Sequence, residues 1–294
     1  MTRSNDERSL RSQLAGLLRP RRKDRVNDPE GQFGAEKDVF PGNDACGIEA
    51  RGVRKSFDGV DVLSGVDLCI AQGSITTILG PSGTGKSVLL RTLMGLLEPD
   101  DGEVFVFGEN LWSLSVRERR ERSVRMGVLF QDGGMLSSLN VYDNTALPLR
   151  THSNLPEDQI RVIVMDRLTD VGLDEAARKF PGELSGGMRK RAAFARALVL
   201  SPPIVFLDEP DSGLDPIRTN LLNELIVNLH GKHRSTYVII THHIATARMV
   251  SDYIALLWRG RIVMHGTPDE VFASTDPFIQ QFLTGDTAGP VGMK

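Results

Sequence analysis

The segment GPSGTGKS, residues 80–87, has the G-x-x-x-x-G-K-[ST] spacing that lets a backbone wrap a chain of phosphates. It follows the β-branched run SITTILG and precedes VLLRTLMGLL, a strand–loop–helix context that supports the motif. Gly80, Gly83 and Gly85 let backbone N–H groups turn inward, Lys86 adds a point charge at the β and γ positions, and the Ser87 hydroxyl is placed for magnesium. Together with Pro81, Ser82, Thr84 and the following Val88, these residues form the candidate nucleotide-binding segment. A glycine-rich structural turn is the plain alternative, and the full spacing with its flanks argues against it.

Two further clusters carry related chemistry. IVFLDEP, residues 204–210, ends a buried apolar run on adjacent carboxylates, with Asp208 suited to hold magnesium through water and Glu209 to orient and polarise an attacking water. LSGGM, residues 184–188, opens an alanine-rich helix, and a helix start preceded by glycines presents unpaired N–H groups to an anion. One chain then carries two phosphate sites for one nucleotide. The economical explanation is that Ser185, Gly186 and Gly187 grip a nucleotide bound to the phosphate loop of a second copy.

The elements that must position these residues read as an α/β core. VDLCI, SITTILG and GEVFVFG come early as short β-rich segments, whereas PPIVFLDEP and TYVIITHH are continuous apolar runs typical of strands buried on both faces. RTNLLNELIVNLH is helical between them, and from Gln131 to Leu184 the pattern turns helical, with Ile160, Ile163, Arg167 and Val171 at turn spacing after Pro156. That stretch reads as a helical insertion.

Composition bounds the rest. With 294 residues, 40% hydrophobic, the chain has material for one large core or a domain with a small subdomain. A net charge of −3 gives no general argument for nucleic-acid binding. Cys46 and Cys69 form neither a C-x-x-C pair nor a ligand cluster, which argues against a disulfide scaffold or a zinc site and suits a reducing, cytoplasmic setting. The longest apolar stretches fall far short of the roughly 20 residues that span a bilayer. Residues 1–46 are polar and read as a tail without a packed core; Leu10, Leu14, Leu17 and Leu18 before RPRRKDR leave open a basic amphipathic segment that touches lipid or a partner. Residues 47–268 hold the motifs, with the helical part at about 132–184, and 269–294 form an extension.

The phosphate loop, Gln131 in VLFQDGG, LSGG, the acidic strand end, SGLDP at 212–216 and His242 in ITHH occur in the order of ATP-binding cassette (ABC) ATPases, which the chain resembles over roughly residues 48–266. The resemblance implies a P-loop NTPase fold with a RecA-like core, an antiparallel β subdomain and a helical subdomain. It also implies that Phe57 in KSFDG stacks on adenine, that Gln131 senses magnesium and the membrane partner, that Asp215 links two protomers, and that His242 contacts the γ-phosphate. Glu209, His242, Gln131 and Lys86 are then the catalytic candidates, and Ser87, Gln131 and Asp208 the magnesium candidates, with ATP and Mg2+ as ligands. His243 stands where acidic residues are frequent in other ABC ATPases.

GVLFQDGGMLSSLNVYDNTALPLR, KFPGELSGGMRKRAAFARALVLSP and DEPDSGLDPIRT further resemble the ATPases that power Mce and Mla lipid transporters, in which Met at the position of Met188 is usual. That resemblance implies a homodimeric ATPase subunit of a lipid importer, working at the inner face of the cell membrane on a YrbE-like permease with Mce proteins, and not on nucleic acid. Asp132 to Tyr142 are the candidate docking segment. Another ABC importer, or a soluble regulatory ABC protein, stays an alternative. Phe272, Phe278 and Phe282 in the C-terminal extension pack either on their own domain or on the other protomer.

Overall fold

The computed structural model describes residues 46–286. The expectations for the tail before Cys46 and for the last Gly/Pro-containing stretch lie outside the described residues. Strands β1 (Cys46–Phe57), β2 (Val60–Ala71), β4 (Asp101–Val106) and β5 (Glu109–Asn110) form an antiparallel sheet in the order β2-β1-β4-β5. Strands β3 (Ile75–Leu79), β6 (Met126–Leu129), β7 (Ile204–Asp208), β8 (Thr236–Thr241), β9 (Tyr253–Trp258) and β10 (Arg261–Gly266) form a second sheet in the order β10-β9-β3-β8-β7-β6. In this sheet β9, β3, β8, β7 and β6 run parallel, and β10 returns antiparallel at one edge.

The continuous apolar runs explain the parallel sheet. Every residue of β3 and β8 is buried, as are the first four of β7, so these strands have no solvent face. The side chains of Ile78, Phe206, Val238 and Ile240 point into one core shared with Leu89, Leu90 and Leu93 of helix α1 (Lys86–Leu93) and with Val53, Leu63 and Val104 of the antiparallel sheet. Each fully sequestered aliphatic side chain of this kind contributes about 1.5–3 kcal/mol. Parallel pairing also puts the carboxyl ends of β3, β6, β7 and β8 on one edge, where Leu79 pairs with Thr241, Asp208 with Ile240, and Leu129 with Leu207. Ligands of open α/β sheets bind at that edge.

Helix α2 (Val116–Ser123) precedes β6. Between β6 and β7 the chain runs through α3 (Val141–His152), α4 (Glu157–Asp170) and α5 (Gly186–Leu198), which pack on one another. Helix α4 buries Ile160, Ile163, Val164, Arg167 and Leu168. Helices α6 (Pro216–His233) and α7 (Ile244–Val250) follow β7 and β8, and α8 (Pro268–Phe272) and α9 (Pro277–Thr284) come last among the described residues. These last two helices pack on their own domain: Val271 and Ile279 are buried with Leu79, Ile254 and Leu256, Phe272 and Phe282 lie against that cluster, and Phe278 sits 5.1 Å from the Trp258 ring.

One expectation is overturned. Cys46 and Cys69 form a disulfide, with Cα atoms 5.5 Å apart. Cys46 pairs with Ala71 and Ile48 with Ile70, so Gly47 is an extra residue in β1 that shifts the register and brings Cys46 beside Cys69. A separation of 23 residues carries no signature by itself; the hairpin brings its ends together.

Candidate active site

The phosphate loop leaves the carboxyl end of β3. A Cβ on Gly80 would stand 2.4 Å from the Leu257 carbonyl oxygen, so only glycine lets the loop cross β9 so closely. Gly85 has φ +99°, and a Cβ there would stand 2.8 Å from the Val62 carbonyl oxygen. Gly85 is also the residue before α1 and offers no side-chain cap, which leaves the first N–H groups of that helix to the loop. The same close approach seats the β1–β2 hairpin, with Phe57 near its turn, against the loop. The Phe57 ring is about half exposed, and Lys55 Nζ lies 5.7 Å from its centroid.

Lys86 is buried and donates to the carbonyls of Gly80 (2.8 Å) and Pro81 (2.7 Å). Burial pushes its ammonium below the ordinary lysine value, and the nearby Glu209 and Asp208 carboxylates oppose the shift. Thr84 Oγ1 also donates to Pro81, at 2.9 Å, while Ser82, Gly83 and Ser87 are exposed and Val88 is half-buried.

Across the sheet edge, Asp208 ends β7. Its carboxyl is raised by burial and by the charge of Glu209, and its Oδ1 is buried without a hydrogen-bond partner. An orphaned carboxylate oxygen is a fitting donor for a hard cation, and Lys86 lies close enough for its charge to act on this carboxyl. Glu209 has φ +43°, a left-handed conformation that is rare for a residue with a Cβ, and its N–H donates to Ile240 at 2.9 Å. Glu209 Oε1 lies 3.3 Å from His242 Nδ1, just past the end of β8. The His243 ring lies 4.4 Å from that of His242, so an imidazole occupies the place where a carboxylate is frequent.

Gln131, two residues past β6, is exposed and donates through Nε2 to Ser212 Oγ at 3.3 Å. Loop, acidic pair, histidine and glutamine thus meet at one sheet edge. Ser185 caps α5, accepting from the Met188 N–H at 3.3 Å. Ser185, Gly187 and Met188 line a cavity of about 460 Å3 with Arg191, Leu214 and Leu222, and no phosphate-loop residue contributes to its walls. Asp215 caps α6, accepting from the Arg218 N–H at 2.9 Å, and is half exposed.

Several residues that hold this site have no motif to announce them. Fully buried Asn144 accepts from the Leu136 N–H (2.8 Å) and donates to the carbonyls of Leu136, Leu139 and Asn140, fixing the segment after Gln131. Arg196 donates to the carbonyls of Gly133 and Gly134. Thr241 Oγ1 donates to buried Asp211 at 2.9 Å, and Lys190 reaches the backbone of Pro210. Asn144 and Lys190 lie in helices that also carry other polar and charged residues, Asp143 beside the first and Arg189 and Arg191 beside the second, so neither stands out in the sequence.

The family model described as ABC transporter matches residues 63–212. The "Probable ribonucleotide transport ATP-binding protein mkl" of Mycobacterium tuberculosis (strain ATCC 25618 / H37Rv) is 48% identical over 246 residues, covering 84% of this chain and 68% of that protein. The "Intermembrane phospholipid transport system ATP-binding protein MlaF" of Escherichia coli (strain K12) is 41% identical over 241 residues, covering 82% of this chain and 87% of that protein. Among solved structures, the dimeric ATP-binding cassette MJ0796 bound to ADP and Pi matches with a TM-score of 0.69 and 29% identity, covering 75% of this chain and 98% of that one.

Proposed function

The chain belongs to the ABC transporter family of ATPases, and from that premise we propose that it powers a phospholipid transporter as a pair of copies docked on a membrane permease. The observation that carries the lipid reading is the likeness to the phospholipid-transport relative, which extends over 87% of that relative's length. The ribonucleotide named for the mycobacterial relative is the second reading, supported by a higher identity of 48% over a smaller share of that protein.

In the proposed cycle Lys86 and the backbone N–H groups of residues 82–87 hold the β- and γ-phosphates of ATP, Phe57 stacks on the adenine, and Val88 lies in the first turn of the supporting helix. Ser87, Asp208 and Gln131 would hold a magnesium ion, which would supply neutralisation of the phosphate charge. Glu209 orients water on the γ-phosphorus; a bond forms from the water oxygen, the bond to the β–γ bridging oxygen breaks, and ADP and phosphate leave. His242, 3.3 Å from Glu209, holds the γ-phosphate side of the site. Ser185, Gly186 and Gly187 close on the ATP of the second copy, and Asp215 contacts that copy. The dimeric state of the ADP-bound relative supports this pairing.

No described helix is long and apolar enough to cross a membrane. A peripheral position on the inner membrane face follows from the pairing with a permease, and Asp132 to Tyr142 form the docking segment. Asp132, Leu136, Ser137 and Ser138 are exposed there while Asn144 pins the backbone behind them. The permease chooses the cargo, so copurification decides the reading. Detergent extracts should yield a YrbE-like permease with Mce proteins, and phospholipid should stimulate the ATPase of that complex. Recovery of a different importer's permease, or stimulation by ribonucleotide alone, would overturn the lipid assignment.

A further inference from the structure

We propose that Lys190 is a positioning residue that ties helix α5, which opens on the LSGG signature at residues 184–187, to the backbone carrying Glu209, so that engagement of Ser185–Gly187 by the second copy's ATP sets the water-orienting carboxylate of the same chain. This rests on the roles proposed above for Glu209 and for the signature. Lys190 lies five residues after Ser185 in the sequence and is only 8% exposed. Its Nζ donates to the carbonyl of Pro210 at 2.8 Å, to that of Ser212, and to that of Glu209 at 3.4 Å. An ammonium has three donors and no acceptor, so all three hydrogens are used on one stretch of backbone. Lysine is almost never buried without such partners, and burial pushes this one below its ordinary value, opposed by the charges of Asp211, Asp132 and Glu209.

The stretch it grips is a node. The Glu209 carbonyl also accepts from the Ser212 N–H at 3.1 Å, and the Glu209 N–H is fixed on β8 at Ile240. Asp211 is held by Thr241, one residue before His242, and Ser212 Oγ is met by Gln131. The signature helix, the histidine strand and the glutamine segment therefore all converge on residues 209–212, and Lys190 is the signature helix's contribution. Glu209 keeps its left-handed φ of +43° because the surroundings over-determine it. Any shift of α5 is passed through Lys190 to the peptide units next to the carboxylate, and small misplacement there is costly in rate.

The test uses the full chain assembled with its membrane partner and follows ATP hydrolysis against ATP concentration for Lys190→Met, Lys190→Gln and Glu209→Gln. Lys190→Met should lower kcat by about ten- to a hundredfold while KM for ATP moves less than about threefold and the Hill coefficient falls toward one. Lys190→Gln, which retains two donors, should recover part of the lost kcat and cooperativity. If the methionine variant fails to assemble, the glutamine variant carries the test by the same split of kcat from KM. Unchanged kcat and Hill coefficient in the assembled variants would overturn the proposal. So would kcat and KM worsening together with a lowered melting temperature, the mark of structural support alone. Normal turnover by Glu209→Gln would instead locate the failure in the role given to Glu209.

Discussion

Replacing Asn144 by alanine removes the amide that fixes the segment between Gln131 and α3. Its Oδ1 accepts from the Leu136 N–H at 2.8 Å, and its Nδ2 donates to the carbonyls of Leu136 (3.0 Å), Leu139 (2.8 Å) and Asn140 (3.0 Å). Two amide hydrogens shared among three carbonyls, plus one acceptor, amount to three effective bonds, and each contributes about 0.5–1.5 kcal/mol net. Asn144 is fully buried, so its site cannot fill with bulk water, but Leu136, Ser137 and Ser138 are exposed and their backbone can rehydrate. The expected loss is therefore about 2–3 kcal/mol rather than the upper sum. Urea denaturation of the full chain measures it, and hydrogen exchange should show the Leu136 amide opening at least tenfold faster. Permease capture should weaken as the docking segment loses its shape. A stability loss below about 1 kcal/mol with Leu136 exchange unchanged would refute this account of the segment.

Gly85→Ala should weaken ATP binding at least tenfold, about 1.4 kcal/mol, because its Cβ meets the Val62 carbonyl at 2.8 Å. Gly83→Ala meets nothing within 4 Å and should carry only the cost of its φ of +79°, about 1–2 kcal/mol; nucleotide titration of both variants compares them. Asp170 links α4 to α6 through Lys232 and His233 and also pairs with Arg167 of its own helix; burial alone would raise its carboxyl, but the hydrogen bonds from His233 and Lys232 and the charges of Lys232 and Arg167 hold it well below the usual carboxylate range. A carboxyl held down in the folded state stabilises fully above the unfolded value near pH 4, and that contribution is lost as pH falls toward the folded value. Asp170→Asn should cost about 2–4 kcal/mol at pH 7 and flatten the acid limb of stability, as read from urea melts between pH 3 and pH 7. Met188→Gln should keep steady-state ATPase activity within a few fold, since the phosphate grip rests on the Ser185 hydroxyl and on backbone N–H groups; abolished turnover in an assembled complex would give Met188 a role of its own.

The sequence carried the sheet core because β3, β7 and β8 are unbroken apolar runs, and such runs have one good home. It carried the phosphate loop because glycine at residues 80, 83 and 85 answers local demands of approach and φ. Its silence falls where distance in the chain is large. The Cys46–Cys69 bond depends on a bulge at Gly47 and on the pairing of two long strands, neither of which composition reveals. The packing of Phe272, Phe278 and Phe282 on their own domain depends on which face of β9 is left open. Lys190 and Asn144 read as ordinary members of helical stretches, since their partners are backbone carbonyls, and a carbonyl has no letter in the sequence.

The central claim is that each ATP is held between the phosphate loop of one chain and the signature of another. The most direct measurement is the mass and nucleotide content of Glu209→Gln with ATP and magnesium, taken by light scattering with quantified bound nucleotide. Removing the carboxylate charge spares the phosphate cradle and stops turnover, so a stable dimer holding two ATP molecules is expected. Adding Ser185→Arg, which fills the space meant for phosphate, should return it to a monomer that still binds ATP. A Glu209→Gln chain that stays monomeric with ATP bound, or that hydrolyses ATP at the unaltered rate, would contradict the account.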